Sequence, residues 1–288
     1  MRKSLPEWFN QRVPNAGEDK GADALLKSLK LHTICESGHC PNVSQCFPGG
    51  AAFLILGNIC TRNCSFCAVH KGQPYAPDPD EPANIVEAAR KLGINYIFIT
   101  SVTRDDLSDN GAGQFVRTIE IIHKELPGVG VEVLVPDFKG DQSAVKAVMK
   151  AGPEVIGHNL ETVPRLYPLV RPMADYKRSL DLLRLSKEVN TQAVTKSGIM
   201  LGLGETREEV IEVMHDLRRI DCDLLTFGQY LAPSLEHYPI INFPTPQEFY
   251  EYIPLGIEMG FRGIASAPLM RSSFKADELY KKAILGYA

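Results

Sequence analysis

From residue 53 onward, short apolar runs alternate with amphipathic stretches. FLILG (53–57), NYIFITSV (95–102), GVEVLVPD (130–137), EVIGHNL (154–160), QAVTKSGIML (192–201) and DLLTFGQYL (223–231) predict six strands. The stretches 83–92, 113–125, 141–150, 175–188, 206–220 and 246–259 predict the helices between and after them. TREEVIEVMHDLRRI (206–220) opens with a capping residue and acids and closes with bases, matching the helix dipole. RGIASAP (262–268) reads as one last extended segment. Residues 1–34 are polar and irregular, with a short helix expected near 22–31.

Strands alternating with helices imply a parallel sheet with right-handed crossovers. Six units are too few for a closed eightfold barrel. A partial, open barrel fits, and so does a doubly wound sheet. In either fold the active site belongs at the C-terminal ends of the strands. The informative residues gather there: Cys60 after the first strand, 100–106 after the second, 158–161 after the fourth, 202–205 after the fifth, and Gln229 and Tyr230 after the sixth. No repeat or linker divides the chain.

Composition narrows the class. The 288 residues suit one large domain. Hydrophobic residues at 44% and charged residues at 23% are ordinary for a globular protein. A net charge of −4 gives no general attraction to nucleic acid or an anionic membrane. The first residues lack the apolar core of a signal peptide, and no apolar run is long enough to span a bilayer. The expected compartment is therefore reducing and cytoplasmic. Six of the seven cysteines lie between Cys35 and Cys67, which reads as metal ligation and not a disulfide framework. Cys222 stands alone and reads as a packing residue.

The chemistry centres on CTRNCSFC (60–67). Cys60, Cys64 and Cys67 have C-x3-C-x2-C spacing. Three soft thiolates this close suit iron–sulfur or zinc binding. A closed tetrahedral zinc site needs a fourth ligand, which His70 could supply. Three ligands on a four-iron cluster would instead leave one iron open. CESGHCPNVSQC adds a second triplet, Cys35, Cys40 and Cys46, with His39 inside it as an alternative zinc ligand. Two triplets in tandem favour two metal sites.

The other candidates have plain alternatives. Gly202-Leu203-Gly204-Glu205 could let backbone approach a ligand, or be a tight turn into a helix. Asn159 and Glu161 could hydrogen-bond ribose hydroxyls, or be turn and cap residues. Residues 103–106 could be a solvated loop. Arg171, Lys177, Arg178 and Lys196 are candidates for a carboxylate. In RSSFKAD (271–277), Ser272 or Ser273 could simply cap the following helix.

Taken together, the motifs resemble the lipoyl synthase family of the radical S-adenosylmethionine (SAM) superfamily. They are LPEWFNQRVP, CESGHCPNVSQC, CTRNCSFCAV, ITSVTRDDLSDNGA, EVLVPDF, HNLETVPRLYPLVRP, TKSGIMLGLGE, FGQYL and the terminal RSS, and they cover almost the whole chain. Phe47, Phe274 and Asn110 stand where that family commonly has Trp, Tyr and Gly. The resemblance implies a partial (β/α)6 TIM-type barrel over 53–261. It also implies an N-terminal extension, 1–52, and a C-terminal extension, 262–288. It implies two [4Fe–4S] clusters: a radical SAM cluster on Cys60, Cys64 and Cys67, and an auxiliary cluster on Cys35, Cys40, Cys46 and Ser273, with Arg271 close by.

Thr100, Ser101, Asn159, Glu161, Arg171, Lys196, Gly202 and Glu205 become the expected SAM contacts. The implied activity inserts two sulfur atoms, at C6 and C8 of a protein-bound octanoyl-lysine, using two SAM and the auxiliary cluster as sulfur donor. No side-chain acid or base is expected to carry it. The implied partners are octanoylated lipoyl carrier domains (2-oxoacid dehydrogenase E2 and glycine cleavage H protein), a ferredoxin or flavodoxin as electron donor, and an iron–sulfur carrier for cluster repair. A monomer is expected. A basic patch of Arg62, Lys71 and Arg104 is the expected docking face. A separate nucleic-acid-binding domain, as in RNA methylthiotransferases, is not evident.

Overall fold

The computed structural model describes residues 4–9, 20–43 and 52–286. Cys46 and Phe47 lie outside them. The main sheet joins β1 (His32–Thr33), β2 (Ala52–Ile55), β5 (Tyr96–Ser101), β6 (Gly130–Leu134), β7 (Val155–Gly157), β8 (Val194–Leu201), β9 (Leu224–Gln229) and β10 (Gly263–Ser266), in that order. Two short strands, β3 (Ile59–Cys60) and β4 (His70–Lys71), pair apart from it. Only β1 is antiparallel within the main sheet, against β2.

Strand order decides between the two folds left open by the sequence. A doubly wound sheet reverses its order at a switch point. Here the parallel strands follow chain order from β2 to β10 without reversal. Right-handed crossovers then put every connecting helix on the same face and leave the other face concave. Among the described residues β10 does not pair back with β1 or β2, so the barrel is open. The segment 262–268 proves to be a further parallel strand, with Gly263 opposite Leu224 and Ser266 opposite Phe227.

The helices α1 (Lys20–Ser28) and α2 (Ile34–Ser37) precede the barrel. The crossover helices are α3 (Glu81–Leu92), α4 (Ala112–Glu125), α5 (Gln142–Lys150), α7 (Tyr176–Val189), α8 (Arg207–Arg219) and α9 (Pro246–Glu258); a single turn, α6 (Tyr167–Val170), follows β7. Their limits follow capping chemistry. Thr206 with Glu209 and Thr245 with Glu248 form reciprocal capping boxes, and Asp141 and Asp175 accept from first-turn amides. The helix-facing side of the sheet supplies the core: Ile97, Ile99, Val131, Val133, Leu225 and Phe227 are fully buried with Ile85, Phe115, Val148 and Val213.

Strand alternation turns Phe98, Thr100, Glu132, Lys196, Gly198, Thr226 and Gly228 to the concave face. One end of that face is filled by α10 (Ala276–Leu285). Leu279 and Ala283 pack on Val155, Val194 and Leu224, the first residues of β7, β8 and β9. Tyr280 meets Tyr96 with ring centroids 5.9 Å apart. The terminal helix therefore plugs the N-terminal ends of the strands and leaves the C-terminal ends for chemistry. It starts from Lys275 in a left-handed conformation with no side-chain cap. Neither Ser272 nor Ser273 caps it, which removes the plain reading of that motif.

Candidate active site

The loop 60–67 leaves β3 above the strand ends and is fastened from several sides. The Thr61 amide and hydroxyl both donate to the Thr103 carbonyl, at 3.1 and 2.9 Å. The Ser65 amide donates to the Val170 carbonyl at 3.0 Å, and the Tyr238 amide to the Ser65 carbonyl at 2.9 Å. His237 Nε2 lies 3.1 Å from the Cys67 carbonyl. Arg62, between the first two cysteines, is buried. Its Nε and Nη2 bond the Asp105 carboxylate at 2.7 and 2.9 Å, and Nη2 reaches Asp137 Oδ1 at 2.6 Å. Arg178 Nε takes the other Asp137 oxygen at 2.8 Å. Despite its burial, the Asp137 carboxyl is drawn down to about 2 by these guanidinium groups.

Those contacts correct two expectations. Arg62 and Arg104 are buried, so neither can belong to a docking patch. Arg104 closes on Asp106 at 2.8 Å and on the Leu56 carbonyl. Residues 103–106 are thus a fastening for the cysteine loop and not a solvated turn. Lys71 alone of the three is exposed.

Burial pushes the Cys64 thiol up and the Cys67 thiol up to about 12, and neighbouring thiols and Glu161 push the same way. Arg171 opposes this at Cys64. Such thiols give up their protons when a cationic metal centre takes their place. Among the described residues no three His, Cys, Asp or Glu side chains already converge as a finished metal site, with or without His39 or His70. The fit rests on the donor chemistry and on unpartnered atoms at the strand ends. Ser101 Oγ and Arg171 Nε are buried without a hydrogen-bond partner among the described residues, and both border the loop's side of the barrel. A buried polar atom without a partner is costly, and a polar ligand would relieve it.

The expected SAM contacts divide. Thr100 Oγ1 donates to the Leu134 carbonyl and stays within the sheet. Gly202 holds φ +100, and a Cβ there would lie 2.1 Å from Gln229 Nε2. Glu205 folds back on its own turn, accepting from the Gly202 and Leu203 amides at 2.6 and 2.9 Å. Glu161 also has a left-handed backbone, at φ +66, where an ordinary residue is strained. Burial pushes its carboxyl up, against the pull of Arg171, Asn159 and Arg271. Arg171 Nη1 is tied to the Asn159 and Leu160 carbonyls at 2.9 and 3.0 Å. Lys177 is exposed, and Arg178 is held by Asp137.

Lys196 does not present a free ammonium to a carboxylate. It is buried, 2.6 Å from Glu132 Oε1 and 2.8 Å from the Ser272 carbonyl. Nothing in its sequence context showed this, because Glu132 is a lone acid in an apolar run. His158 is likewise internal: Nδ1 meets the Val135 carbonyl at 2.8 Å, Nε2 meets Ser179 Oγ at 3.0 Å, and burial pushes its pKa down to about 4.

The two chain ends meet near the same rim. Asn42 Nδ2 donates to the Leu269 carbonyl at 2.6 Å. Cys35 and Cys40 pack with Ala52, Phe98 and Ala276. Half-buried Arg271 feels the charges of both Cys40 and Glu161. Glu161 acts on Cys64 and Cys67 from the other side. The β7 end at 158–161 thus touches the RSS segment through Asn159 and acts on the cysteine loop through Glu161. Ser272 Oγ pairs with the Asn159 carboxamide at 3.1–3.2 Å.

A family model described as the radical SAM superfamily matches residues 54–217. Lipoyl synthase of Caldanaerobacter subterraneus subsp. tengcongensis is 54% identical over 278 residues, spanning 96% of this chain and 97% of that protein. Lipoyl synthase of Caldicellulosiruptor saccharolyticus is 49% identical over 282 residues, spanning 98% and 99%. Among solved structures, methylornithine synthase superposes with a TM-score of 0.60 at 17% identity, covering 91% of this chain and 80% of that one. Coproporphyrinogen III oxidase of Escherichia coli gives 0.54 at 14% identity, covering 78% and 57%. These two likenesses speak for the fold alone. No described helix is long and apolar enough to cross a membrane. Motifs, fold and relatives agree that the chain belongs to the lipoyl synthase family of radical SAM enzymes.

Proposed function

We propose that this chain inserts two sulfur atoms, at C6 and C8 of an octanoyl group amide-linked to a lysine of a lipoyl carrier domain. The hydrogens on those carbons are not acidic, so acid–base catalysis has nothing to act on. Radical chemistry is the available route, and it belongs to cofactors. When bound, a [4Fe–4S] cluster and SAM supply one-electron bond cleavage, and a second cluster supplies sulfur. Two SAM are used per product.

In this reading Cys60, Cys64 and Cys67 hold the first cluster. Cys35, Cys40, Cys46 and Ser273 hold the second, with Arg271 as a neighbouring cation. Ser101 and Arg171 offer SAM polar contacts, Gly202 lets the backbone come close, and Glu205 braces that turn. Thr100, Asn159 and Glu161 shape the rim between the sites. Lys196 leaves the set of SAM contacts. The protein's own work is to hold donor, chain and cofactors in reacting order and to exclude water.

One observation carries the two-site reading: the RSS segment of the chain end lies against the rim that also faces the cysteine loop. Arg271 and Glu161 link the surroundings of Cys40 to those of Cys64. The difference between the two serines also supports Ser273 as the ligand, because the Ser272 hydroxyl is engaged with Asn159. The reading keeps the carrier domain, a low-potential electron donor and a cluster-repair protein as partners. The test is iron analysis with Mössbauer spectroscopy on anaerobically reconstituted protein. About eight irons per chain are expected, falling to about four in Cys40→Ala. About four in both would sink the second cluster.

A further inference from the structure

Glu132 and Lys196 face each other inside the barrel, 1% and 2% exposed, with Oε1 and Nζ 2.6 Å apart. Such a pair is weak evidence for stability, because desolvation offsets the attraction. Its other contacts suggest what it does. Tyr96 donates its hydroxyl to Glu132 Oε2 at 2.7 Å. Lys196 Nζ lies 5.9 Å from the centre of the Phe98 ring and donates to the Ser272 carbonyl at 2.8 Å. Tyrosine, carboxylate and ammonium thus form one chain across β5, β6 and β8. It ends on the peptide that joins Ser272 to Ser273.

The strands are shaped to receive that peptide. A Cβ on Gly198 would lie 2.8 Å from both Asn159 Oδ1 and Thr226 Oγ1, the groups beside Ser272. A Cβ on Gly228 would lie 2.1 Å from the Met270 carbonyl oxygen and 3.0 Å from Arg271 Nη1. Two glycines therefore open the concave face where residues 270–272 cross it. The Gln229 amide fixes the approach by donating to the Pro268 carbonyl at 2.9 Å. All of these contacts come from the barrel, and none requires the N-terminal cysteines.

We propose that Lys196, held by Glu132 and Tyr96, is a positioning residue that fixes the Ser272–Ser273 peptide on the barrel and so presets where Ser273 meets the auxiliary cluster. This inference rests on the reading of Ser273 as a ligand of that cluster. An ammonium suits the task because it can bond Glu132 and the carbonyl together. The barrel then decides the position of the oxygen ligand.

The test uses the full chain with Lys196→Met and Glu132→Gln combined, so that no buried charge is left unpaired. In the apoprotein, amide exchange over 270–275 should rise at least about tenfold while the crossover helices keep their protection. After reconstitution, iron should fall from about eight toward about four per chain. The Cys60 cluster should remain and still cleave SAM. If the double variant fails to fold, Tyr96→Phe removes one hydroxyl alone, and exchange over 270–275 should still rise several-fold. Unchanged exchange with full loading of both clusters would overturn the proposal. A Ser273→Ala protein that loads both clusters fully would instead sink the ligand reading and this inference with it. Normal Ser273 dependence beside an indifferent double variant would sink the anchor alone.

Discussion

The two cysteine groups are built in opposite ways. Cys60, Cys64 and Cys67 share one loop, and residues from the segments that follow β5, β6, β7 and β9 clamp it. The proposed auxiliary set draws on two separate stretches of the chain. Cys35 and Cys40 sit before the barrel, Ser273 follows it, and the Asn42–Leu269 contact ties the ends together. A contiguous site carries its geometry in its own spacing. A site made from two chain ends exists only when the barrel between them is folded. The difference suits the proposed roles: one cluster must persist through turnover, and the other must be dismantled.

The largest expected effect separates the two sites outright. Cys64→Ala should abolish 5′-deoxyadenosine formation to background while the auxiliary cluster still loads, as read by product analysis and Mössbauer spectra. Residual cleavage at a tenth of wild type or more would mean that the loop does not hold the SAM-cleaving centre.

Asp137→Asn sharpens the clamp side of the comparison. It leaves Arg62 without one carboxylate in a buried place, at a cost of about 3 kcal/mol. Urea denaturation should show that loss, and iron should leave the loop cluster before the auxiliary one. Preferential loss from the auxiliary site would contradict the clamp.

Acid should test the same region through His158. Its folded pKa of about 4 lies below the ordinary value of about 6.5. The unfolded chain therefore binds the proton first, and stability falls as pH drops from about 6.5 to 4, by up to about 3 kcal/mol. Asp137 adds a further loss only below its unfolded value, near pH 4 and downward. Denaturation of apoprotein across pH 7 to 4.5 should show the His158 slope, and His158→Gln should flatten it. An equal slope in both proteins would remove His158 as the cause.

The smallest effect concerns the turn at 202–205. Exposed Arg165 bonds half-buried Glu209 and the Gly204 carbonyl. Arg165→Ala should cost less than about 1 kcal/mol, as exposed pairs do. It should change the apparent affinity for SAM little, by equilibrium dialysis. A tenfold loss would place that turn's outer face in the binding site.

Much of this was legible in the chain. Alternating apolar runs and capped helices located the barrel strands and crossovers to within a few residues. The loop 60–67 could be read because its ligands are close in sequence. What could not be read depended on folding. Periodicity alone could not choose between an open barrel and a doubly wound sheet; strand order did. Arg62 and Arg104 look like surface bases until Asp105, Asp137 and Asp106 close on them. Glu132 is a lone acid in an apolar run, and the concave face buries it against Lys196. Side-chain chemistry alone did not separate Ser272 from Ser273; the family resemblance pointed to Ser273, and the fold engages the Ser272 hydroxyl with Asn159.

In the proposed reading a single oxygen ligand, Ser273, separates sulfur insertion from SAM cleavage. An anaerobic single turnover with SAM, dithionite and an octanoyl-lysyl peptide tests it most directly, comparing the wild-type chain with Ser273→Ala by mass. The wild type should give lipoyl peptide at no more than about one per chain, with about two deoxyadenosines each. Ser273→Ala should give deoxyadenosine and no sulfur-bearing peptide. Lipoyl peptide at wild-type yield from Ser273→Ala would contradict the account.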